Sequence, residues 1–289
     1  MEGEITTFSL LNLTSCTGCS VNILNAFNDN PEWLGERLRY SEFLLSIKDK
    51  RRTDVLLVEG GIGTEEDLVK LKELAGYSDR VVVIGTCASF GFISSFGNYR
   101  DVGELMIKRV AEGGKGRLPK LIEKVKPVGE VIDVHLYIPG CPLPGHLIAG
   151  YIMDRVPKIS KVVCAECPRK LASGKISKVV PDYGGLAPGP ECLLQQGYLC
   201  LGLVTQGGCG APCPSAAAHC IGCRGPAQHL AELPAGERIA KVIDTLHRRT
   251  TADLGLLRRE LAAPTSLLFL YPFSPEFSRP PGYERGKVL

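Results

Sequence analysis

"VVVIGTCAS", residues 81–89, reads as a strand followed almost at once by a thiol. Residues 81–84 form an apolar β-branched run without alternation, as expected of a strand buried on both faces. Gly85 and Thr86 open a turn, and Cys87 follows. The arrangement recurs. An apolar run over residues 5–13 ends at Leu13 and precedes "CTGC", with Cys16 and Cys19; a run over residues 134–138 precedes "PGCPLPG", with Cys141. A fourth run, residues 55–58, continues into "VEGGIGT".

Helical patterns separate these runs. Residues 34–47 place Leu34, Leu38 and Leu45 on one side. Residues 64–75 open with "TEED", a capping box with acids in the first turn, and Leu68, Leu71 and Ala75 follow at helical spacing, with Gly76 as the stop. Strands alternating with helices predict βαβ units and a parallel sheet. The carboxyl ends of parallel strands share one edge, where ligands bind. Cys16, Cys19, Cys87 and Cys141 are therefore expected to converge there, with Glu59 beside them. Glu59 reads either as a proton carrier or hydrogen-bond acceptor for nearby amides, or as a carboxylate that ties down a glycine-rich loop. "GGIGT" before a helix suggests a phosphate site but lacks the lysine of a P-loop and the full dinucleotide fingerprint, so phosphate binding is not expected.

After about residue 157 the periodic signals shorten. Residues 181–226 are rich in glycine, proline and cysteine, and such a composition is expected to need something other than side-chain packing to order it. Residues 237–246 and 256–261 read as short helices, and the aromatic, proline-interrupted C-terminus reads as an arm. The expected organisation is an α/β domain over residues 1–157 and a largely irregular domain over residues 158–289.

The 12 cysteines form three sets of four in chain order. After Cys16, Cys19, Cys87 and Cys141 come Cys164, Cys167, Cys192 and Cys200, then Cys209, Cys213, Cys220 and Cys223. Each set contains one C-x2-C pair, which can place two sulfurs on one metal centre. Zinc and iron–sulfur clusters both accept four thiolates. Zinc ribbons usually pair two C-x2-C knuckles, whereas here separated single cysteines complete each set. Cys141, Cys167 and Cys213 each precede proline, as in the bacterial ferredoxin run. The spacing favours three 4Fe–4S clusters over three zincs. A thioredoxin-like pair does not account for three sets. His219 stands beside a complete set, and His135, His146, His229 and His247 show no ligand spacing.

Net charge is only +3, with 44% hydrophobic and 22% charged residues. No basic face for nucleic acid and no aromatic-and-basic RNA-binding pattern is expected. No apolar run approaches the ~20 residues of a membrane span, and the acidic start "MEGEITTFSL" resembles neither a secretory nor a twin-arginine leader. The expected location is the cytoplasm, where thiols stay reduced and 12 cysteines point to metal rather than disulfides.

Together, "CTGC", "GTCAS", "PGCPLPG", "CAEC" with Cys192 and Cys200, and "GCGAPCPS…CIGCRGP" resemble the small, electron-transferring subunit of nickel–iron hydrogenases over nearly the whole chain. The branch it resembles is the cytoplasmic, viologen-reducing archaeal type often linked to heterodisulfide reductase. The resemblance implies a flavodoxin-like first domain and a two-cluster second domain. It implies a proximal cluster on Cys16, Cys19, Cys87 and Cys141, a distal one on Cys164, Cys167, Cys192 and Cys200, and a medial one on Cys209, Cys213, Cys220 and Cys223. Cysteine rather than histidine at Cys164, and a thiol at Cys213 where some relatives lack one, imply three 4Fe–4S clusters. The nickel–iron centre would lie in a large partner subunit, and an iron–sulfur or flavin subunit would accept electrons. Ser15 stands where many relatives carry glutamate, so no proton role is carried over to it; Leu143 stands where many read "GCPP". The loop over residues 89–100, "SFGFISSFGNYR", and the C-terminal arm are expected to face the partner, the alternative being core packing. Two other functions fit part of the pattern. A proximal-cluster subunit like that of respiratory complex I would use the first set alone, and a zinc-stabilised interaction module would use no iron.

Overall fold

The computed structural model describes residues 7–29, 31–41, 47–48, 52–99, 119–153, 159, 161–170, 187, 189–250, 253–255 and 257–258. The expected C-terminal arm lies outside these residues, as does most of the segment 256–261. The chain divides near residue 157 into two compact units.

The first unit is built on a six-stranded sheet. Its strands are β1 (Phe8–Asn12), β2 (Leu38–Ser41), β3 (Ile47–Lys48), β4 (Thr53–Glu59), β6 (Ser78–Ile84) and β8 (Leu136–Ile138), in the order β3-β2-β1-β4-β6-β8. β2, β1, β4, β6 and β8 run parallel, and only β3 at the edge is antiparallel. The five parallel strands have the flavodoxin-like 2-1-3-4-5 order, whose switch point lies between β1 and β4. Successive residues Leu10 and Leu11, Val55–Val58 and Val82–Ile84 are all buried, so the sheet is covered on both faces. A separate pair, β5 (Ile62–Thr64) with β7 (Leu121–Lys126), is antiparallel.

Among the described residues, helices α1 (Gly18–Ala26), α2 (Pro31–Arg37), α3 (Glu65–Gly76), α4 (Gly85–Phe90) and α5 (Gly145–Ile152) belong to this unit. α3 begins at the expected capping box. The Asp67 amide donates to Thr64 Oγ1 (3.0 Å), and the Thr64 amide donates to Asp67 Oδ2 (3.0 Å). Leu71 and Leu74 are its buried face, and Tyr77 rather than Gly76 is the terminating residue.

The helix expected over residues 34–47 is corrected. α2 stops at Arg37 and the chain becomes β2, with the β3 edge strand at 47–48. Leu38 and Tyr40 are buried at strand spacing. A second strand beside β1 satisfies the backbone groups that β1 would otherwise leave open, and this outweighs the local leucine spacing.

The second unit has short helices α6 (Pro212–Ser215) and α7 (Gln228–Ala231) and one long helix, α8 (Ala235–Thr250). α8 is longer than the expected segment 237–246. The expectation that this region lacks a side-chain core is also corrected. Val163, Leu193, Leu194, Leu199, Leu201, Val204, Leu230, Val242 and Leu246 pack into one buried cluster with Cys200 and Cys220. The apolar residues are spread over many short turns, so no single stretch shows a periodic face. Among the described residues no helix is long and apolar enough to cross a membrane.

The capping box yields a direct test. Thr64→Ala should cost ~1 kcal/mol, measured as a lower urea midpoint with an unchanged slope.

Candidate iron–sulfur centres

Sheet register sets the first site. Asn12 pairs with Glu59, Glu59 with Ile84, and Ile84 with Ile138, so four strands end in one row. The loops leaving that row carry Cys16 and Cys19, Cys87, and Cys141. Two of these loops are zipped together: the Thr86 amide donates to the Gly140 carbonyl (3.1 Å), and the Gly140 amide donates to Thr86 Oγ1 (3.1 Å). Asn22 Nδ2 donates to the Leu143 carbonyl (2.9 Å), tying α1 to the Cys141 loop.

Glu59 ends β4 and is 2% exposed. Its Oε1 accepts from the Cys19 amide (3.1 Å), and its Oε2 from the Ser20 amide (2.9 Å), Ser20 Oγ (2.5 Å) and Asn12 Nδ2 (3.0 Å). The carboxylate thus saturates the start of α1, where unpaired amides favour negative charge. It ties down the cysteine loop rather than the glycine loop. Asn12 and Ser20, which the sequence did not single out, complete this network; a polar residue ending a buried strand was the available signal at Asn12.

The "GGIGT" glycines serve close approach. Thr14 and Gly61 exchange backbone hydrogen bonds (3.1 and 3.0 Å), and the Gly63 amide donates to Asp67 Oδ2 (3.0 Å). A Cβ on Gly60, at φ +93°, would stand 2.8 Å from the Thr14 carbonyl oxygen. These amides already have protein acceptors. Gly85, at φ +80°, has no room for a Cβ because one would overlap Cys19 Sγ.

Burial pushes the Cys19 thiol up, and the charges of Glu59, Cys87 and Cys141 push it further. Burial likewise raises Cys87; hydrogen bonds from Ser94 oppose this, and the charges of Cys16 and Glu59 add to it. Cys19 thus lies within reach of Cys87 and Cys141, and Cys87 within reach of Cys16. Ser15 holds no carboxylate at this site; its Oγ accepts from the Thr17 amide (3.3 Å). Leu143 is a buried core residue.

The loop expected to face a partner is corrected in part. Phe90 and Phe92 are buried, while Ile93 is 53% exposed. α4 continues into a 3-10 segment (Phe92–Tyr99) that turns these rings inward. Arg100 lies outside the described residues.

The second set surrounds a cavity of ≈ 430 Å³ lined by Cys164, Cys167, Cys192 and Cys200, with Arg169 and Arg249 at its wall. Lys170 accepts from the Cys192 amide through its carbonyl (2.8 Å), bringing the Cys167 and Cys192 segments side by side. Gly202 sits against two of the sulfurs: a Cβ there would lie 3.2 Å from Cys164 Sγ and 3.8 Å from Cys200 Sγ. Burial, then the charges of Cys200, Cys192 and Cys167, push Cys164 up to about 12, with Arg249 pulling the other way. Burial also raises Cys200, against hydrogen bonds from the Cys220 and Gly202 amides.

The third set is held by tight turns. Glycines 208, 210, 222 and 225 all adopt positive φ. Cys209 and Cys213 lie within mutual reach, and Cys220 lies near both Cys223 and Cys200. Burial raises Cys209, Cys213 and Cys220; at Cys209 the Glu166 charge adds to this and the Arg224 charge opposes it. The Cys220 amide donates to Cys200 Sγ (3.3 Å), joining the second and third sets directly. His219 stacks on Tyr198 at 6.4 Å.

Among the described residues, no three Cys, His, Asp or Glu side chains converge closely enough for a single metal ion. The donors are thiols alone, the described cavity has room for more than one ion, and glycines clear space beside the sulfurs. Such a donor set fits iron–sulfur clusters, and loading it would release the protons that burial keeps on thiols such as Cys19, Cys164 and Cys220.

Comparison with known proteins gives the same direction. The NADH ubiquinone oxidoreductase, 20 Kd subunit family matches residues 16–154. The chain is 36% identical over 242 residues to a subunit of the F420-non-reducing hydrogenase vhu of Methanocaldococcus jannaschii, covering 78% of this chain and 84% of that protein. It is 31% identical over 259 residues to the iron-sulfur subunit of the F420-non-reducing hydrogenase of Archaeoglobus profundus, covering 73% and 79%. A chain of the [NiFeSe] hydrogenase of Desulfovibrio vulgaris Hildenborough shares the fold, with a TM-score of 0.50 and 18% identity over 78% of this chain and 94% of that one. The chain belongs to the family of nickel–iron hydrogenase small subunits, the electron-transfer subunits whose members include the iron-sulfur subunits of F420-non-reducing hydrogenases.

Proposed function

We propose that this chain is the electron relay of a nickel–iron hydrogenase complex and holds three 4Fe–4S clusters. Bound in the three thiol sets, such clusters supply one-electron transfer between a hydrogen-splitting centre and a redox partner. Cys16, Cys19, Cys87 and Cys141 would hold the proximal cluster in a domain spanning residues 1–157. Cys164, Cys167, Cys192 and Cys200 would hold the distal cluster, and Cys209, Cys213, Cys220 and Cys223 the medial one, in a domain spanning residues 158–289. The carrying observation is the row Asn12, Glu59, Ile84 and Ile138, from which separate loops deliver the first four thiols to one sheet edge.

The chain's own residues position these sites. Glu59 neutralises the amides at the start of α1 and presents Cys19. Thr86 binds the Cys87 loop to the Cys141 loop. The aliphatic cluster around Cys200 and Cys220 keeps these two residues buried. A large subunit with the nickel–iron centre would dock near the first set, and an iron–sulfur or flavin subunit, of a kind linked to heterodisulfide reductase, would accept electrons at the second. The complex would work in the cytoplasm.

The complex I-like reading draws on the match to the 20 Kd subunit family. That match, residues 16–154, spans only the first set and leaves the other eight cysteines without a use. A zinc-stabilised module would need no such separation of single cysteines.

Anaerobic purification should yield about twelve irons per chain, ~four for each cysteine set, and no stoichiometric zinc. Three zincs without iron would refute the relay, and about four irons would support the complex I-like reading. Cys213→Ala should replace one 4Fe–4S centre by a 3Fe–4S centre, detected as a new EPR signal in the oxidised protein; an unchanged spectrum would remove Cys213 from the ligand set. Gly85→Ala should displace Cys19 Sγ and lower iron content by up to about four per chain, while far-ultraviolet circular dichroism stays near wild type. Retention of the full iron content would show that the Cys19 position is not critical.

A further inference from the structure

The turn around Cys209 is gripped by two opposite charges. Glu166, between Cys164 and Cys167, reaches across to it: Oε1 accepts from the Gly208 amide (2.5 Å) and Oε2 from the Gly210 amide (2.8 Å), the two amides flanking Cys209. On the other side stands Arg224, the residue after Cys223. It is 1% exposed, and its Nε and Nη2 both donate to the Gly207 carbonyl (3.1 and 2.9 Å). A Cβ on Gly208 would lie 3.1 Å from Arg224 Nη2, so the cation lies directly against the turn. Gly208 and Gly210 adopt φ +99° and +73°, the left-handed conformation that aims both amides at one carboxylate.

Backbone anchoring alone does not require this chemistry. A neutral side chain could bind one carbonyl, whereas a guanidinium brings a full positive charge to the turn, as Glu166 brings a negative one. A cluster held by four thiolates is anionic and gains a further negative charge on each reduction. A nearby cation favours the reduced form and a nearby anion disfavours it, most strongly where water is excluded.

We propose that Glu166 and Arg224 are positioning residues for the Cys209 turn that set, in opposite directions, the reduction potential of the centre on Cys209, Cys213, Cys220 and Cys223. The inference rests on the reading of that set as one cluster site. Glu166 also belongs to the Cys164–Cys167 turn, so one carboxylate fixes the spacing of two neighbouring sites.

The test is an EPR-monitored redox titration of the iron-loaded chain in its complex. The step belonging to the third set is identified in the Cys213→Ala variant. In Glu166→Gln that step should move to higher potential, because an anion is lost. In Arg224→Gln it should move to lower potential, because a cation is lost. Arg224→Lys, which keeps the charge but not the fork, should leave it near wild type. A purely structural role would give no shift, or shifts of the same sign in Glu166→Gln and Arg224→Gln; either result overturns the proposal. If Arg224→Gln does not accumulate, Glu166→Gln and Arg224→Lys decide it: a step unmoved by Glu166→Gln, or lowered by Arg224→Lys, refutes it. Wild-type iron near eight per chain, without a third reduction step, would instead refute the underlying cluster assignment.

Discussion

The Glu59 carboxylate joins sheet and site. It ends the central strand of the parallel sheet and accepts from the backbone of Cys19 and Ser20, from the Ser20 hydroxyl and from Asn12. A carboxylate buried this deeply has exchanged water for protein donors, and each donor lost would leave a buried polar oxygen short of a partner. Because three of those donors belong to the first turn of α1, the cysteine loop cannot shift without unpairing a buried carboxylate. Sheet register and thiol position thereby become one constraint. The Thr86–Gly140 exchange does the same for the other two loops, through two backbone amides, a carbonyl and one hydroxyl.

The second unit solves a different problem. Among its described residues no sheet edge aims the thiols, and turns in which glycine takes positive φ do so instead. Cys200 and Cys220 lie inside the aliphatic cluster, so the same residues that stabilise this unit also dry the space between two thiol sets. Arg169 stitches the segments together from outside. It donates to the carbonyls of Gly189 (2.9 Å), Glu191 (3.0 Å) and Pro214 (2.7 Å), which precede Cys192 and follow Cys213. A neutral donor could not reach three separated carbonyls with one planar group.

How legible each feature was depended on whether its cause is local. The Thr64–Asp67 box is closed within four residues, and "TEED" showed it directly. Residues 81–84 announced a two-sided strand through unbroken β-branched residues, and the cysteine after each such run placed the first site. β2 was hidden because Leu34, Leu38 and Leu45 keep helical spacing, while the force that makes Leu38–Ser41 a strand is pairing with β1. Phe90 and Phe92 look like surface aromatics in the sequence, where nothing local shows that the chain turns them inward. The core of the second unit was invisible for a related reason: its leucines are contributed singly by turns. In the sequence Glu166 and Arg224 are each one charge among many until folding brings both to the same glycine turn.

Different charges stand beside each thiol set: an anion, Glu59, at the first; a cation, Arg249, at the wall of the second; and an opposed pair, Glu166 and Arg224, at the third. In the proposed relay the ligands are thiolates throughout, so ligand identity cannot distinguish the three potentials. Local charge, hydrogen bonds to sulfur and exclusion of water are what remain. The third set lies next to the second through the Cys220 amide and Cys200 Sγ, and a single hydrogen bond there stabilises negative charge on one sulfur while connecting both sites. A carboxylate and a guanidinium on the same turn largely cancel at long range but act separately at short range. The cancellation keeps the net charge of the turn small, and the short-range asymmetry remains available to tune the centre on the third set.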